Sequence, residues 1–372
     1  MRVLVRQLFF LLISILALYA LLLLVSLPFG TGTGTGTRSH TAIDSGLAGA
    51  SIYATEPKYV FLDRAELSTD KPRVILVGAS NVLVGLKPRE MQPLMPATEI
   101  DNMSIGGANM TEVSQTVDLA LSQLSKESCE ETTFVIGMWY GMFATNQMRW
   151  NTPDRHQGDT DLDIERYRYG FYRRTQQGPK PVLPEHDLAL GVTLIHPYLV
   201  IDSWSRQASH WISLHTGHRE PMHSEAERNA LVFSDQEKAM AMDYWHEQLQ
   251  TSGELSKEQF KVLQATVQKI VAHGARVVVV DLPVPRWHEK RSPYLRSYAE
   301  RRSALLEAWQ DSPAVKYLDM TDIDSDSDFS DEVHPKPRIT KIWAERVVNA
   351  LEESSTAGAS PSDRMRNPVS LS

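Results

Sequence analysis

The sequence predicts an α/β fold: a three-layer α/β/α sandwich on a parallel sheet, preceded by one N-terminal transmembrane helix and carrying a mostly helical insert. Three observations predict this. Short runs of β-branched and apolar residues alternate with segments of helical period, the mark of a parallel sheet covered on both faces. An uncharged N-terminal stretch has the length of a bilayer span. Residues 145–250 fit neither pattern and are far longer than an ordinary connection.

From Leu8 to Leu27 the chain carries no charged residue. Twenty helical residues at ~1.5 Å rise give ~30 Å, the thickness of a bilayer's hydrocarbon core. Arg2 and Arg6 precede the stretch and the next charge is Arg38. The positive-inside rule then leaves the N-terminus in the cytoplasm and exports the rest. A cleaved signal peptide is the competing reading, but its apolar core is shorter, about 7–15 residues. No clean small-x-small site precedes Pro28. Residues 1–29 are therefore read as an uncleaved anchor. Alternating Gly and Thr from Gly30 to Thr37 offers nothing large to bury, so residues 30–57 read as a flexible tether.

The folded domain is expected over residues 58–352. Val74 to Val77 is a buried strand, too short for a helix. Thr98 to Met103 is a second strand, and Thr111 to Leu124 a helix that Thr111 and Glu112 can cap. Thr133 to Gly137 is a third strand. After the insert, Leu255 to His273 is helical, with Ser256 as its cap, Phe260, Leu263, Val267 and Ile270 on one face, and Gly274 as its stop. Arg276 to Val280 is a buried strand, Tyr294 to Trp309 a helix, Val315 to Leu318 a short strand, and Arg338 to Leu351 the closing helix. The Ser-, Ala- and Pro-rich tail, 353–372, reads as disordered. Within the insert, the run Arg166-Tyr-Arg-Tyr-Gly-Phe-Tyr-Arg-Arg174 pairs arginines with aromatics. That suits a carbohydrate surface, or simple packing of the insert onto the core.

The 372 residues suffice for one large α/β domain with attachments or two modest ones, and 42% hydrophobic and 23% charged content is ordinary for a globular chain. A net charge of −8 excludes the basic face of a nucleic-acid binder. The single cysteine, Cys129, excludes an intramolecular disulfide framework and a Cys-rich metal site.

Three segments carry chemistry. Gly78-Ala79-Ser80 follows the first strand, so a hydroxyl at Ser80 stands at the carboxyl end of a parallel strand, where open α/β sheets put their sites. Taken alone it is equally an ordinary strand-to-loop turn. Asp331-Glu-Val-His334-Pro335 places an aspartate and a histidine on one turn. Asp331 can hold the Nδ1 proton of His334, leaving Nε2 to take the proton of Ser80, a weak nucleophile without such a base. Asn102-Met-Ser-Ile-Gly-Gly107-Ala-Asn109 brings glycines after the second strand. The N–H groups of Gly107 and Ser80 can then meet a developing oxyanion, although a tight turn would also demand glycine.

In order and spacing these segments resemble the SGNH (GDSL) hydrolase superfamily, over about residues 73–137 and 273–351 but not the insert. Gly78-Ala79-Ser80-Asn81 resembles its first block, with Ala79 in place of aspartate. Asn102 to Gly107 resembles the second and Asp331 to Pro335 the fifth, while Val277 to Pro283 is similar to its penultimate strand. The resemblance implies Ser80 as nucleophile, His334 as base, Asp331 as its orienter and Gly107 as an oxyanion donor, with no metal or organic cofactor. The third block departs. The family's asparagine, which completes the oxyanion hole, is replaced within Val135-Ile-Gly-Met-Trp-Tyr140-Gly-Met142, and losing one donor costs about 3 kcal/mol of transition-state stabilisation. Tyr140, Asn109 and Asn146 are the candidate substitutes. Anchor and altered block together resemble the membrane-anchored branch that acylates cell-wall and exopolysaccharide polymers.

Two other clusters invite a metal reading and do not match one. Asp322 to Asp328 would need Gly at 327 and Glu at 333 for a calcium loop, where Ser327 and Val333 stand. As a solvated acidic loop, its carboxylates are expected to raise the pKa of His334. His210, His215, His218 and His223 lack metal-ligand spacing. The expected function is an esterase in the bacterial inner membrane, facing the periplasm, acting on O-acyl, chiefly O-acetyl, groups of a surface polysaccharide. The alternatives are an O-acyltransferase using the same three residues with an acyl donor, and an inactive scaffold among polysaccharide-assembly proteins.

Overall fold

The computed structural model describes residues 2–29, 60–61, 67, 72–143, 159–168, 170–176, 178–182, 184, 188–217, 225–249 and 254–358. The tether and the end of the tail lie outside them.

Five strands form the central sheet: β1 (Arg73–Val77), β2 (Glu99–Asn102), β3 (Thr132–Met138), β6 (Arg276–Asp281) and β7 (Val315–Asp319), with β4 (Tyr172–Thr175) and β5 (Gly178–Pro181) in a separate hairpin. The order is β2-β1-β3-β6-β7, every neighbouring pair parallel. From β1 the chain crosses first to β2 on one side and then to β3 on the other. The switch point, and the crevice it opens, therefore lies at the carboxyl end of β1.

Strand residues alternate between two faces, and each face has its own core. Ile75, Val77, Phe134, Ile136, Val277 and Val279 pack in one cluster with Val113 and Val117 of helix Met110–Leu121 and Leu263, Val267 and Ile270 of helix Lys257–Ala272. Val74, Leu76, Val135, Val278 and Val280 pack in the other with Trp343, Val347 and Val348 of helix Pro337–Gly358. This is the expected sandwich.

Local details differ from the expectations. Helix Met110–Leu121 is capped by Asn109, whose Oδ1 accepts the N–H groups of Thr111 (3.0 Å) and Glu112 (3.2 Å). Ser256 occupies its predicted cap position without a side-chain hydrogen bond. The closing helix runs on to Gly358, into the segment expected to be disordered; Glu353 is tied there to Lys316, whose ammonium also donates to the Ala350 carbonyl at 3.2 Å.

The insert contains helices Asp161–Arg168, Leu188–His215, Glu225–Ala230 and Asp235–Leu249, and the antiparallel β4–β5 hairpin that the sequence reading lacked. Much of its cationic–aromatic run is engaged in packing, with Phe171 and Tyr172 against Phe61 of the core. The Arg174 guanidinium lies 3.9 Å from the Tyr167 ring centre and is paired with Asp159. Arg166 pairs with Asp163 and sits 5.1 Å from the Tyr172 ring. Helix Arg2–Ser26 has a mean hydropathy of 3.0 over its most apolar window and none of that window is buried. By length and composition it is able to cross a membrane.

Candidate active site

Ser80 opens the short helix Ser80–Gly85, straight off β1, with Ala79 as N-cap in an extended conformation. As the first helical residue its N–H has no partner within the helix. The helix presses on the sheet through glycine: a Cβ at Gly78 would lie 2.3 Å from Val82 Cγ2, and one at Gly137 of β3 would meet the same methyl at 2.3 Å. This close approach fixes where the Ser80 hydroxyl stands.

Asp331 and His334 occupy the tip of a narrow loop. Phe329 bridges Pro335 in antiparallel fashion, the Ser330 N–H donates to the His334 carbonyl at 2.9 Å, and the Lys336 N–H donates to the Asp328 carbonyl at 2.8 Å. Asp331 Oδ1 accepts the N–H groups of Val333 (2.9 Å) and His334 (2.8 Å), which aims Oδ2 at His334 Nδ1, 2.7 Å away. A carboxylate only accepts, so Nδ1 carries the proton. Nε2 of the neutral ring is then an acceptor for the Ser80 hydroxyl, 2.8 Å from it. The side chain of His334 remains 27% exposed, so the contact is open to a ligand.

Burial disfavours the imidazolium of His334. The Asp331 carboxylate, by charge and hydrogen bond, together with Glu332, outweighs it, and the pKa lies above its ordinary value. Burial likewise pushes the Asp331 carboxyl up, but His334 and the two backbone donors hold it below the usual range. The acidic loop has no part in the His334 shift, contrary to expectation, because its charges are engaged elsewhere. Asp322 pairs with Arg346 and Asp324 with Arg286, Asp326 accepts the Trp287 N–H, and Asp328 pairs with Arg338. Of the histidine cluster, His215 stacks on Trp211 at 4.0 Å; His218 and His223 and the side chain of His210 lie outside the described residues.

On the neighbouring strand, the Met103 N–H donates to the Leu76 carbonyl and the Ile105 N–H to that of Gly78, carrying the β2–β1 pairing to the same rim. Ile105 to Ala108 then turns, closed by the Ala108 N–H on the Ile105 carbonyl at 3.0 Å, with Gly107 at φ 73°. That position of a type II turn requires glycine, and the turn does not use the Gly107 N–H. The candidate substitute donors fare differently. Asn109 is the helix cap. The Tyr140 hydroxyl is buried and bonded to His288 Nε2 instead. Asn146 lies outside the described residues.

His288 is the residue that sequence reasoning missed. It is fully buried on helix Arg286–Arg291, and its Nδ1 donates at 2.6 Å to the carbonyl of Glu332, inside the Asp331–His334 loop. Burial pushes its pKa down to about 4, so the ring is neutral and its Nε2 accepts from Tyr140. Trp245 of the insert reaches the same loop, its indole N–H 3.3 Å from the Glu332 carboxylate. The signal was a histidine in the turn after a buried strand, but its partners are remote in sequence.

By the base of the loop is a cavity of about 390 Å³, lined in part by Phe233, Trp287, Lys238, Asp326, Lys336 and Arg338, with neither Ser80 nor His334 in its lining.

The fold and site define an α/β protein with a serine, a histidine and an aspartate hydrogen-bonded in series at the carboxyl rim of its sheet. No family model and no curated protein matches the chain. Among solved structures it is similar to protein YxiM of Bacillus subtilis, with 12% identity and a TM-score of 0.35 over 78% of this chain. It spans 58% of that protein's crystallised chain. It is also similar to a protein of Bacteroides fragilis named "putative acylhydrolase", with 11% identity and a TM-score of 0.34 over 77% of this chain and 88% of that one.

Proposed function

We propose that this chain is a serine esterase of the SGNH type, anchored in the inner membrane with its α/β domain in the periplasm, that removes O-acyl groups, chiefly O-acetyl, from a surface polysaccharide. One observation carries the chemistry: Ser80 and His334, 254 positions apart in sequence, lie 2.8 Å apart, with Asp331 behind the ring. In this reading Ser80 Oγ attacks the ester carbonyl as His334 Nε2 takes its proton. The N–H groups of Ser80 and Gly107 meet the oxyanion. His334 returns the proton to the departing sugar hydroxyl, leaving Ser80 acylated, and water activated by His334 then releases the acid.

The test takes two measurements on the full-length chain. A fluorophosphonate probe is expected to label the protein, and Ser80→Ala to abolish the label. Incubation with an acetylated glycan is expected to yield free acetate. Acetyl groups appearing on an added acceptor glycan instead would assign an acyltransferase using the same residues. Absence of labelling in the folded protein would sink the enzyme reading and leave a scaffold.

A further inference from the structure

Helix Leu188–His215 crosses the outer end of the N-terminal helix. The Ser26 hydroxyl lies 3.0 Å from His196 Nδ1, the Tyr19 hydroxyl donates to the Leu194 carbonyl, and the Phe29 and Trp204 rings meet edge to face at 5.2 Å. These contacts run from Tyr19 to Phe29 on one side and from Leu194 to Trp204 on the other, so the helix lies against the carboxyl-terminal end of Arg2–Ser26.

The crossing helix has two apolar faces. Val192, Ile195 and Leu199 pack on the domain core. Opposite them, Leu190, Leu194, Tyr198, Ile201, Trp204, Trp211 and Ile212 are each 46–61% exposed. At 100° per residue these seven fall within about 140° of the circumference, and no Asp, Glu, Lys or Arg falls among them. A stripe this long on the solvent side of a soluble helix marks a surface that something covers.

We infer that the covering is the lipid bilayer: beside the anchor, helix Leu188–His215 rests this stripe in the headgroup and acyl boundary. Position argues for lipid over protein. Two residues of the stripe, Leu194 and Trp204, touch the anchor at Tyr19 and Phe29, and the stripe lies on the side of its helix opposite the residues that pack on the domain core. Trp204, Trp211 and Tyr198 are the side chains that favour this boundary, with an apolar ring and a polar tip. The anchor alone would leave the insert free to rotate about it. A second contact fixes which side of the domain faces the membrane. The inference rests on the reading of Arg2–Ser26 as an anchor and is independent of the chemistry at Ser80.

The test uses the full-length chain in phosphatidylcholine–phosphatidylglycerol nanodiscs. Cys129, the single cysteine, is replaced by Ser, and spin labels are placed one at a time at Leu194, Ile201 and Ile212, with Lys261 of helix Lys257–Ala272 as an exposed control. Collision rates with oxygen, which enters lipid, and with a nickel chelate, which does not, are measured at each. The oxygen-to-nickel ratio is expected to be about tenfold higher at the three stripe positions than at Lys261. A ratio equal to that of Lys261 would put the stripe in water and overturn the inference. Exclusion of both reagents would put it against a second copy or a partner protein, which overturns it equally. Circular dichroism of each labelled chain identifies a misfolded variant, and Tyr198 then replaces that position. No readout depends on catalysis, so a failed fluorophosphonate label and a failed membrane contact are separate results.

Discussion

At the residue scale, His334 is held by opposing forces. Burial favours the neutral ring that a base must be, while Asp331 favours the imidazolium that forms once the Ser80 proton arrives. The aspartate prevails and the pKa is raised, so kcat/KM is expected to fall with acidification through a midpoint above the ordinary histidine value of about 6.5. Asp331→Asn tests the cause. Removing the negative charge removes what favours the imidazolium, so the acid limb moves to lower pH. The amide also loses the firm Nδ1–H acceptor that sets the tautomer, and turnover is expected to drop by about 10³–10⁴-fold. A pH–rate profile of both proteins reads the two effects separately. An unshifted midpoint would mean that another group titrates in the profile.

At the element scale, the Asp331–His334 loop is anchored on two flanks. Pairing of residues 328–330 with 334–336 closes its base, and His288 grips its middle through the Glu332 carbonyl. His288→Leu leaves that carbonyl and the Tyr140 hydroxyl without their partner in a buried setting, each omission costing about 1–3 kcal/mol. The expected result is a stability loss of about 3 kcal/mol in chemical denaturation, and a fall in kcat larger than any change in KM. Adding Tyr140→Phe removes one orphaned group and is expected to recover part of the stability but not the turnover. Additive losses in the double variant would mean that the hydrogen bond does not couple the two. How much of this was legible in the sequence follows from which contacts are local. Strands such as Arg276–Val280 announce themselves as β-branched runs, and the structure extends four of the five sheet strands by a residue or two while trimming the second, expected over Thr98–Met103, to Glu99–Asn102. Helices Ser80–Gly85, Pro88–Met91 and Arg286–Arg291 are too short to show a period. The Ser80–His334–Asp331 hydrogen bonding was legible because Ser80 lies just past a buried strand and Asp331 and His334 are three residues apart on one turn. His288 was not, because Tyr140 and Glu332 give it meaning only after β3, β6 and the loop have met. The Tyr140 hydroxyl, a candidate oxyanion donor in the sequence, proved to be His288's partner for the same reason.

At the scale of the whole molecule, the charge distribution and the proposed substrate make one linked claim. Arg2 and Arg6 are the only charged side chains before the apolar stretch Leu8–Leu27, and the rest of the chain brings the total to −8. Basic residues beside a span resist translocation, whereas acidic ones contribute little, so the N-terminus is expected to stay inside while the α/β domain crosses. Reporter fusions after Ser372 test this directly. Alkaline phosphatase, which matures only outside the cytoplasm, is expected to be active there, and a green fluorescent protein that folds only inside is expected to be dark. The reverse pattern would place Ser80 in the cytoplasm. The hydrogen-bonded chain through His334 to Asp331 would still be chemically competent, but an exported polysaccharide would be out of its reach, and the substrate would have to be sought among cytoplasmic esters. Orientation therefore decides the substrate class independently of the site geometry, and it requires no knowledge of which acyl group is removed.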